Sequence, residues 1–231
     1  MHDADQLPSA PTSEHGPSVR LLVGAAVVAV VTLGVVLRFG LVEPPALAPV
    51  DAATRPEASL ALLTYRDADR GQCLDVIAPD GQVREVRCAV DGAGPLVGWD
   101  ERGILIISFR PASERVEAID PVTGAVRPLP ELDPRDMTMR WSSTWVESDR
   151  AGGTLVVRAE GGQVLWRVEA PDNYRISSTA TDPATGMVAL LDSAGRLLVL
   201  PPAAEAPRVW VEDVGAEYGE LVWEGTTVDA D

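Results

Sequence analysis

Two apolar patterns divide the chain. Residues 21–37 form an unbroken apolar run with no charge and one hydroxyl, Thr32, bracketed by Arg20 and Arg38. As a helix rising about 1.5 Å per residue the run covers about 25 Å, and residues 39–42 extend it towards the ~30 Å hydrocarbon core of a bilayer. The pattern predicts one transmembrane helix over 19–42, with the membrane span at 21–42. From Ser59 onward the pattern changes to short runs rich in Val, Ile, Leu and Trp, separated by turn residues. Strands are predicted at 60–65, 73–78, 83–88, 104–109, 116–119, 154–159, 164–168, 187–191, 197–200 and 209–211. None of these runs is long enough for a typical helix.

The breaks carry recognisable turn chemistry: Pro79-Asp80-Gly81, Asp120-Pro121-Val122-Thr123-Gly124, Glu160-Gly161-Gly162, Asp182-Pro183-Ala184-Thr185-Gly186 and Ser193-Ala194-Gly195. In Asp-Pro openings the aspartate accepts backbone N–H bonds, proline fixes φ at the next position, and the closing glycine takes positive φ. With each unit written as strands a to d, the c–d turns fall near Gly81, Gly124 and Gly162 and then in 201–207. Candidate a-strands stand between the units at 96–99, 141–146, 176–180 and 220–223. A period of about 40 residues with four strands per unit is the signature of a β-propeller.

The turns Asp120–Gly124 and Asp182–Gly186 resemble the D-x-x-T-G hairpins of quinoprotein-type propellers. The stretch Trp99-Asp100-Glu101-Arg102-Gly103-Ile104-Leu105 resembles the strand a to b corner of Tol-associated propellers. The resemblance covers residues 59–224 at the level of architecture and brings no catalytic residues with it. The expected fold is therefore all-β, a propeller-like array of about four four-stranded blades over 59–231. The first unit has no a-strand ahead of it and the segment 220–223 has no unit after it. Docking that last strand into the first unit would complete four blades and remove two exposed edges; an open array or β-sandwich is the alternative.

Residues 1–18, rich in Pro, Ser, Asp and Glu, are expected to be a disordered tail. Residues 43–58, punctuated by Pro44, Pro45, Pro49 and Pro56, are expected to be a semi-extended linker. The apolar run exceeds the 7–15 residues of a cleaved signal, and Pro49 follows the A-x-A-like Ala46-Leu47-Ala48, so an uncleaved signal anchor is expected. Arg20 and Arg38 balance across the span and leave the positive-inside rule nearly silent. Both cysteines lie in the β-rich region, which suits a disulfide-permitting compartment and places that domain outside the cytoplasm.

All 19 basic residues are arginine, and the formal charge is −16. Such a chain repels nucleic acid and gives it no positive footprint. The expected partners are the membrane and a protein at or near it. Histidine is absent after His15 and lysine is absent throughout, which removes Ser-His-Asp, Cys-His and Schiff-base catalysis from the β domain. No cofactor is expected. A pair of carboxylates in the manner of a glycosidase is formally open among many acidic side chains.

Two groups of residues stand out. If the first hairpin has a two-residue Asp80-Gly81 loop, Cys73 lies opposite Cys88 within disulfide range. A three-residue Pro79-Asp80-Gly81 loop shifts the register by one and needs a bulge to restore that pairing. A structural disulfide between Cys73 and Cys88 is expected. Asp67, Asp69 and Asp75 have some of the oxygen spacing of a calcium loop, but Arg70 puts a positive charge inside it and no bidentate Glu follows, so an ordinary hairpin loop is expected. Trp99, Trp141, Trp145, Trp166, Trp210 and Trp223 lie in or beside predicted strands, where packing between units is their expected role. Together these readings give a membrane-anchored domain with a non-catalytic recognition or scaffolding role. A carboxylate-dependent hydrolase of cell-envelope polymers is the alternative.

Overall fold

The computed structural model describes residues 44–65, 71–88, 96–100, 102–103, 105–109, 115–133, 137–138, 144–149, 153–169, 174–226 and 229–230. The predicted tail (1–18) and membrane span (21–42) lie outside the described residues. Among the described residues no helix is long and apolar enough to cross a membrane.

The described chain is all-β, and the strands within its sheets pair antiparallel. Sheet 1 contains β1 (Leu60–Tyr65), β2 (Gln72–Ile77) and β3 (Val83–Arg87). Sheet 2 contains β4 (Leu96–Trp99), β5 (Leu105–Phe109), β6 (Arg115–Ile119) and β7 (Val126–Pro128), and β8 (Met137–Thr138) follows it. Sheet 3 contains β9 (Thr144–Asp149), β10 (Thr154–Ala159) and β11 (Val164–Glu169). Sheet 4 contains β12 (Ile176–Thr181), β13 (Val188–Asp192), β14 (Leu197–Leu200) and β15 (Arg208–Val211). The chain then returns: β16 (Gly219–Trp223) pairs with β1, giving sheet 1 the order β16-β1-β2-β3. Finally β17 (Asp229–Ala230) pairs with β8.

Each strand run predicted from the sequence has a counterpart, with ends moved by up to a few residues. The β1–β16 register is continuous, from Leu60 opposite Trp223 to Thr64 opposite Gly219. At Gly219 the backbones come too close for any other residue. A Cβ there would sit 2.6 Å from the Leu63 carbonyl oxygen and 2.9 Å from side-chain carbons of Leu62 and Thr64.

One turn differs from expectation. Gly162 closes the β10–β11 hairpin, so it joins the second and third strands of sheet 3; it is not a c–d turn. Short b–c and c–d hairpins use the same turn residues, and the sequence period does not separate them. Among the described residues sheet 3 therefore has three strands where four were expected.

The burial pattern explains why the strands of sheets 1 and 4 read as continuous apolar runs. A sheet covered on both faces loses the polar-out alternation of a half-exposed one. Leu60, Leu62, Ile77, Leu221 and Trp223 of sheet 1 pack with Ala189, Leu191, Leu197, Val199 and Trp210 of sheet 4. On the other face of sheet 1, Ala61, Leu63, Leu74 and Val76 pack with Trp99 and Ile119 of sheet 2. All of β2, β13 and β14 is consequently buried. Along the first strands of the sheets, β16 lies against both β4 and β12, and β12 lies against β9.

The Pro-rich segment after residue 43 is extended and runs beside β15. The Val209 N–H donates to the Ala48 carbonyl and the Val50 N–H to the Val209 carbonyl, both at 2.9 Å. Val50 and Ala58 pack against the core between sheets 1 and 4. This segment thereby covers the outer edge of sheet 4.

Candidate functional site

The first hairpin places the two cysteines together by the second of the two routes open from sequence. Pro79, Asp80 and Gly81 form a three-residue loop, closed by Ala78 N–H to the Gln82 carbonyl (2.9 Å) and Gly81 N–H to the Ala78 carbonyl (2.8 Å). That loop sets Asp75 opposite Glu85; a bulge at Val86 then shifts the register so that Leu74 faces Arg87. The shift returns Cys73 to a position opposite Cys88, and they form a disulfide with Cα atoms 4.0 Å apart. The two sulfurs and the Glu85 carboxylate lie within 4.8 Å of one another. With both sulfurs joined to each other, neither is a thiolate available to a metal.

Asp75 is placed by β2, fully buried, opposite Leu62 on one side and Glu85 on the other. It is a mid-strand residue of sheet 1. Asp67 and Asp69 lie outside the described residues.

Tryptophan N–H groups tie the sheets to one another. The Trp99 indole of sheet 2 donates to the Val222 carbonyl of sheet 1 (3.2 Å). The Trp223 indole of sheet 1 donates to the Ala180 carbonyl of sheet 4 (3.1 Å), and the Trp210 indole of sheet 4 donates to the Pro79 carbonyl of sheet 1 (3.3 Å). Trp210 and Trp223 stack with ring centroids 5.6 Å apart and planes inclined by 12°. A buried indole needs an acceptor for its one N–H, and a carbonyl on the neighbouring sheet supplies it while the ring fills the interface. For these three tryptophans the packing role expected from sequence is the observed one; Trp141 lies outside the described residues.

The recurrent Asp-Pro-x-Thr-Gly turns have one geometry. Asp120 Oδ1 accepts from the Val122 (2.7 Å) and Thr123 (3.0 Å) N–H groups, and Asp182 Oδ1 from Ala184 (2.9 Å). In both turns the glycine N–H bonds the aspartate carbonyl at 2.8 Å. These donors, led by the Thr123 N–H, hold the exposed Asp120 carboxyl below its ordinary 3.8. Asp51 is lowered likewise, chiefly by the Thr54 hydroxyl, which donates to it at 2.9 Å.

Sequence reasoning passed over a buried charged group. Asp192, at the end of β13, is 0% exposed and Arg196, just before β14, 8%. Asp192 Oδ2 accepts from Arg196 Nε (2.8 Å) and the Tyr174 hydroxyl (3.2 Å). Its Oδ1 accepts from the backbone N–H groups of Ala194 (3.0 Å) and Arg196 (2.9 Å). Arg196 Nη1 then reaches out of the sheet to the Pro45 carbonyl at 3.1 Å. Burial first, and the Asp192 carboxylate second, push the Tyr174 phenol well above its ordinary value. The sequence signal was the Asp192-Ser-Ala-Gly-Arg196 turn, with opposite charges at its two ends. Through Arg196 the group ties the Pro-rich segment to sheet 4, while Arg196 Nη2 is buried with no hydrogen-bond partner among the described residues.

Beside that segment lies a cleft of ≈550 Å³ between residues 46–48 and 54 on one side and 201–208 on the other. Its lining is mainly Ala and Pro, with Glu205 and Arg208 as the charged side chains. Glu205 is the one carboxylate in that lining, where glycosidase chemistry uses two.

Two solved structures of AztD from Citrobacter koseri are similar to this chain. The apo form has 17% identity and a TM-score of 0.23 over 71% of this chain and 47% of that one. The second has 17% identity and a TM-score of 0.23 over 74% and 48%. The chain thus spans about half the length of these proteins, and a likeness at that score carries no argument about the site. No protein-family model matches the chain, and no curated protein matches it.

Proposed function

We propose that the protein is a single-pass membrane protein whose β domain is a four-bladed propeller outside the cytoplasm, with a non-catalytic recognition or scaffolding role. The observation that carries this reading is the pairing of β16 with β1, which joins the last long strand to the first unit. In a propeller each blade packs face to face on the next, and a terminal strand that completes the first blade holds the ring shut. Packing of sheet 1 between sheets 2 and 4 follows that order. The charge-free run at 21–37 supports the anchor, and the Cys73–Cys88 disulfide supports an oxidising compartment. The cleft beside the Pro-rich segment, lined mainly by Ala and Pro with one carboxylate, suits binding of a partner surface.

Cross-linking in intact membranes, followed by identification of what is captured, tests the recognition role. A reproducible protein partner supports it. Turnover of a cell-envelope polymer by the purified protein, abolished by a carboxylate substitution, rejects it in favour of the hydrolase. Protease added outside spheroplasts tests the topology: the β domain is cleaved if it is extracytoplasmic and protected if it is not.

A further inference from the structure

The side chains of the first hairpin sort by face. Glu85 and Cys88 are three residues apart and would point to opposite faces of a regular strand; the bulge at Val86 brings them to the same one. There Glu85 faces Asp75 and Cys88 faces Cys73, while Arg84 and Arg87 face Val76 and Leu74 on the other side. The two sulfurs and the Glu85 carboxylate lie within 4.8 Å of one another. Cys73 is buried, Cys88 half-buried and Glu85 exposed, so the group opens to solvent at β3. On its other flank Thr64 of β1 faces Cys73 and shares that face. Thr64 is 1% exposed, and its Oγ1 is buried with no hydrogen-bond partner among the described residues. Such an orphan is costly, and a disulfide sulfur is a poor partner for it.

Reduction changes what these residues offer. Two molecules of a thiol reductant deliver two electrons and two protons to the Cys73–Cys88 bond and leave as their own disulfide. A divalent cation then displaces the two thiol protons, and both sulfurs become thiolate ligands. Two thiolates with one carboxylate select a borderline-soft ion of the Zn2+ kind over Ca2+ and Mg2+, which take oxygen ligands. With metal–sulfur bonds of about 2.3 Å at a tetrahedral angle the sulfurs stand about 3.8 Å apart, within the span of facing side chains in an antiparallel pair. We propose that the reduced first hairpin is a site for one such cation, held by Cys73 Sγ, Cys88 Sγ and the Glu85 carboxylate, with water as fourth ligand on the exposed side. The buried Thr64 hydroxyl gains its partner by donating to the Cys73 thiolate. The net charge of −16 draws cations to the domain, and the arginines of β3 lie on the far face. Closing the disulfide releases the ion. The site is independent of what the domain recognises.

The full-length protein in detergent micelles is reduced with a thiol, freed of it under anaerobic conditions, and titrated with Co2+, whose thiolate charge-transfer band reports sulfur ligation. The reduced chain is expected to bind one equivalent, displaced by Zn2+, and the oxidised chain to give no band. Glu85→Gln and Thr64→Val should each weaken binding by roughly tenfold, and Cys88→Ser should abolish tight binding. An unfolded dithiol also takes up metal, so the denaturant midpoint of the reduced chain is measured with and without Zn2+. A native site raises that midpoint, whereas binding to the unfolded chain lowers it. No band from the reduced chain, an equal band from the oxidised one, unchanged affinity in Glu85→Gln or in Thr64→Val, or a midpoint that falls or stays fixed with Zn2+ would each overturn the proposal.

Discussion

Replacing Asp192 with alanine should be among the most damaging single changes in the domain. The carboxylate is fully buried and accepts four hydrogen bonds, from Arg196 Nε, Tyr174 and two backbone N–H groups. Its removal leaves the Arg196 guanidinium buried beside an empty site, and breaking a buried pair from one side costs about 3–5 kcal/mol. Arg196 Nη1 keeps the Pro45 carbonyl, so the lower end of that range, about 3 kcal/mol, is the expected loss. For a domain of this size that corresponds to a fall in Tm of roughly 6–12 °C. Asp192→Asn combined with Arg196→Met removes both charges yet keeps an acceptor for the turn, and should cost less than Asp192→Ala alone. Denaturant unfolding of the four variants (Asp192→Ala, Asp192→Asn, Arg196→Met and the double) measures this directly. A loss below about 1 kcal/mol for Asp192→Ala, or simple additivity of Asp192→Asn and Arg196→Met, would refute the reasoning.

Three further outcomes are expected. Gly219→Ala should open the β1–β16 pairing, because its Cβ would meet the Leu63 carbonyl oxygen at 2.6 Å; amides of β1 should then exchange faster with solvent, and unchanged protection would count against the pairing. Reducing Cys73–Cys88 should lower stability by about 3 kcal/mol, since the bond closes a loop with a sequence separation of 15; denaturant midpoints with and without reductant measure this. The Asp51 and Asp120 carboxyls should titrate below 3.8 in NMR pH titrations. Because their folded values are depressed, their stabilisation is present above the unfolded value and is lost as pH falls through the lowered one; titration at or above 3.8 would contradict the hydrogen bonds drawn for them.

Strands and hairpins were the legible part of this chain, because Val-, Ile- and Leu-rich runs and Asp-Pro-x-Thr-Gly turns act locally. Return of β16 to β1 was also legible, since an a-strand without a unit and a unit without an a-strand complement each other. The bulge at Val86 was legible only as a condition: proline at position 79 favoured the longer loop, but the compensating shift depends on the disulfide it permits. Gly162 misled because hairpin chemistry is the same wherever a hairpin falls in a sheet. The contact from Arg196 to Pro45 spans 151 residues and has no local signal. Pro-rich extended chain is equally suited to water and to a sheet edge, so nothing in residues 43–58 announced that Ala48 and Val50 would pair with Val209. The contents of a site were the least legible, because charges scattered over turns converge only when tertiary packing selects a few of them.

Deleting residues 219–231 tests the central claim most directly. If β16 completes sheet 1, removing it strips Leu221 and Trp223 from the core, opens the β1 edge, and lowers the melting temperature sharply or prevents folding. A truncated protein that melts at the same temperature as the full chain would contradict the account.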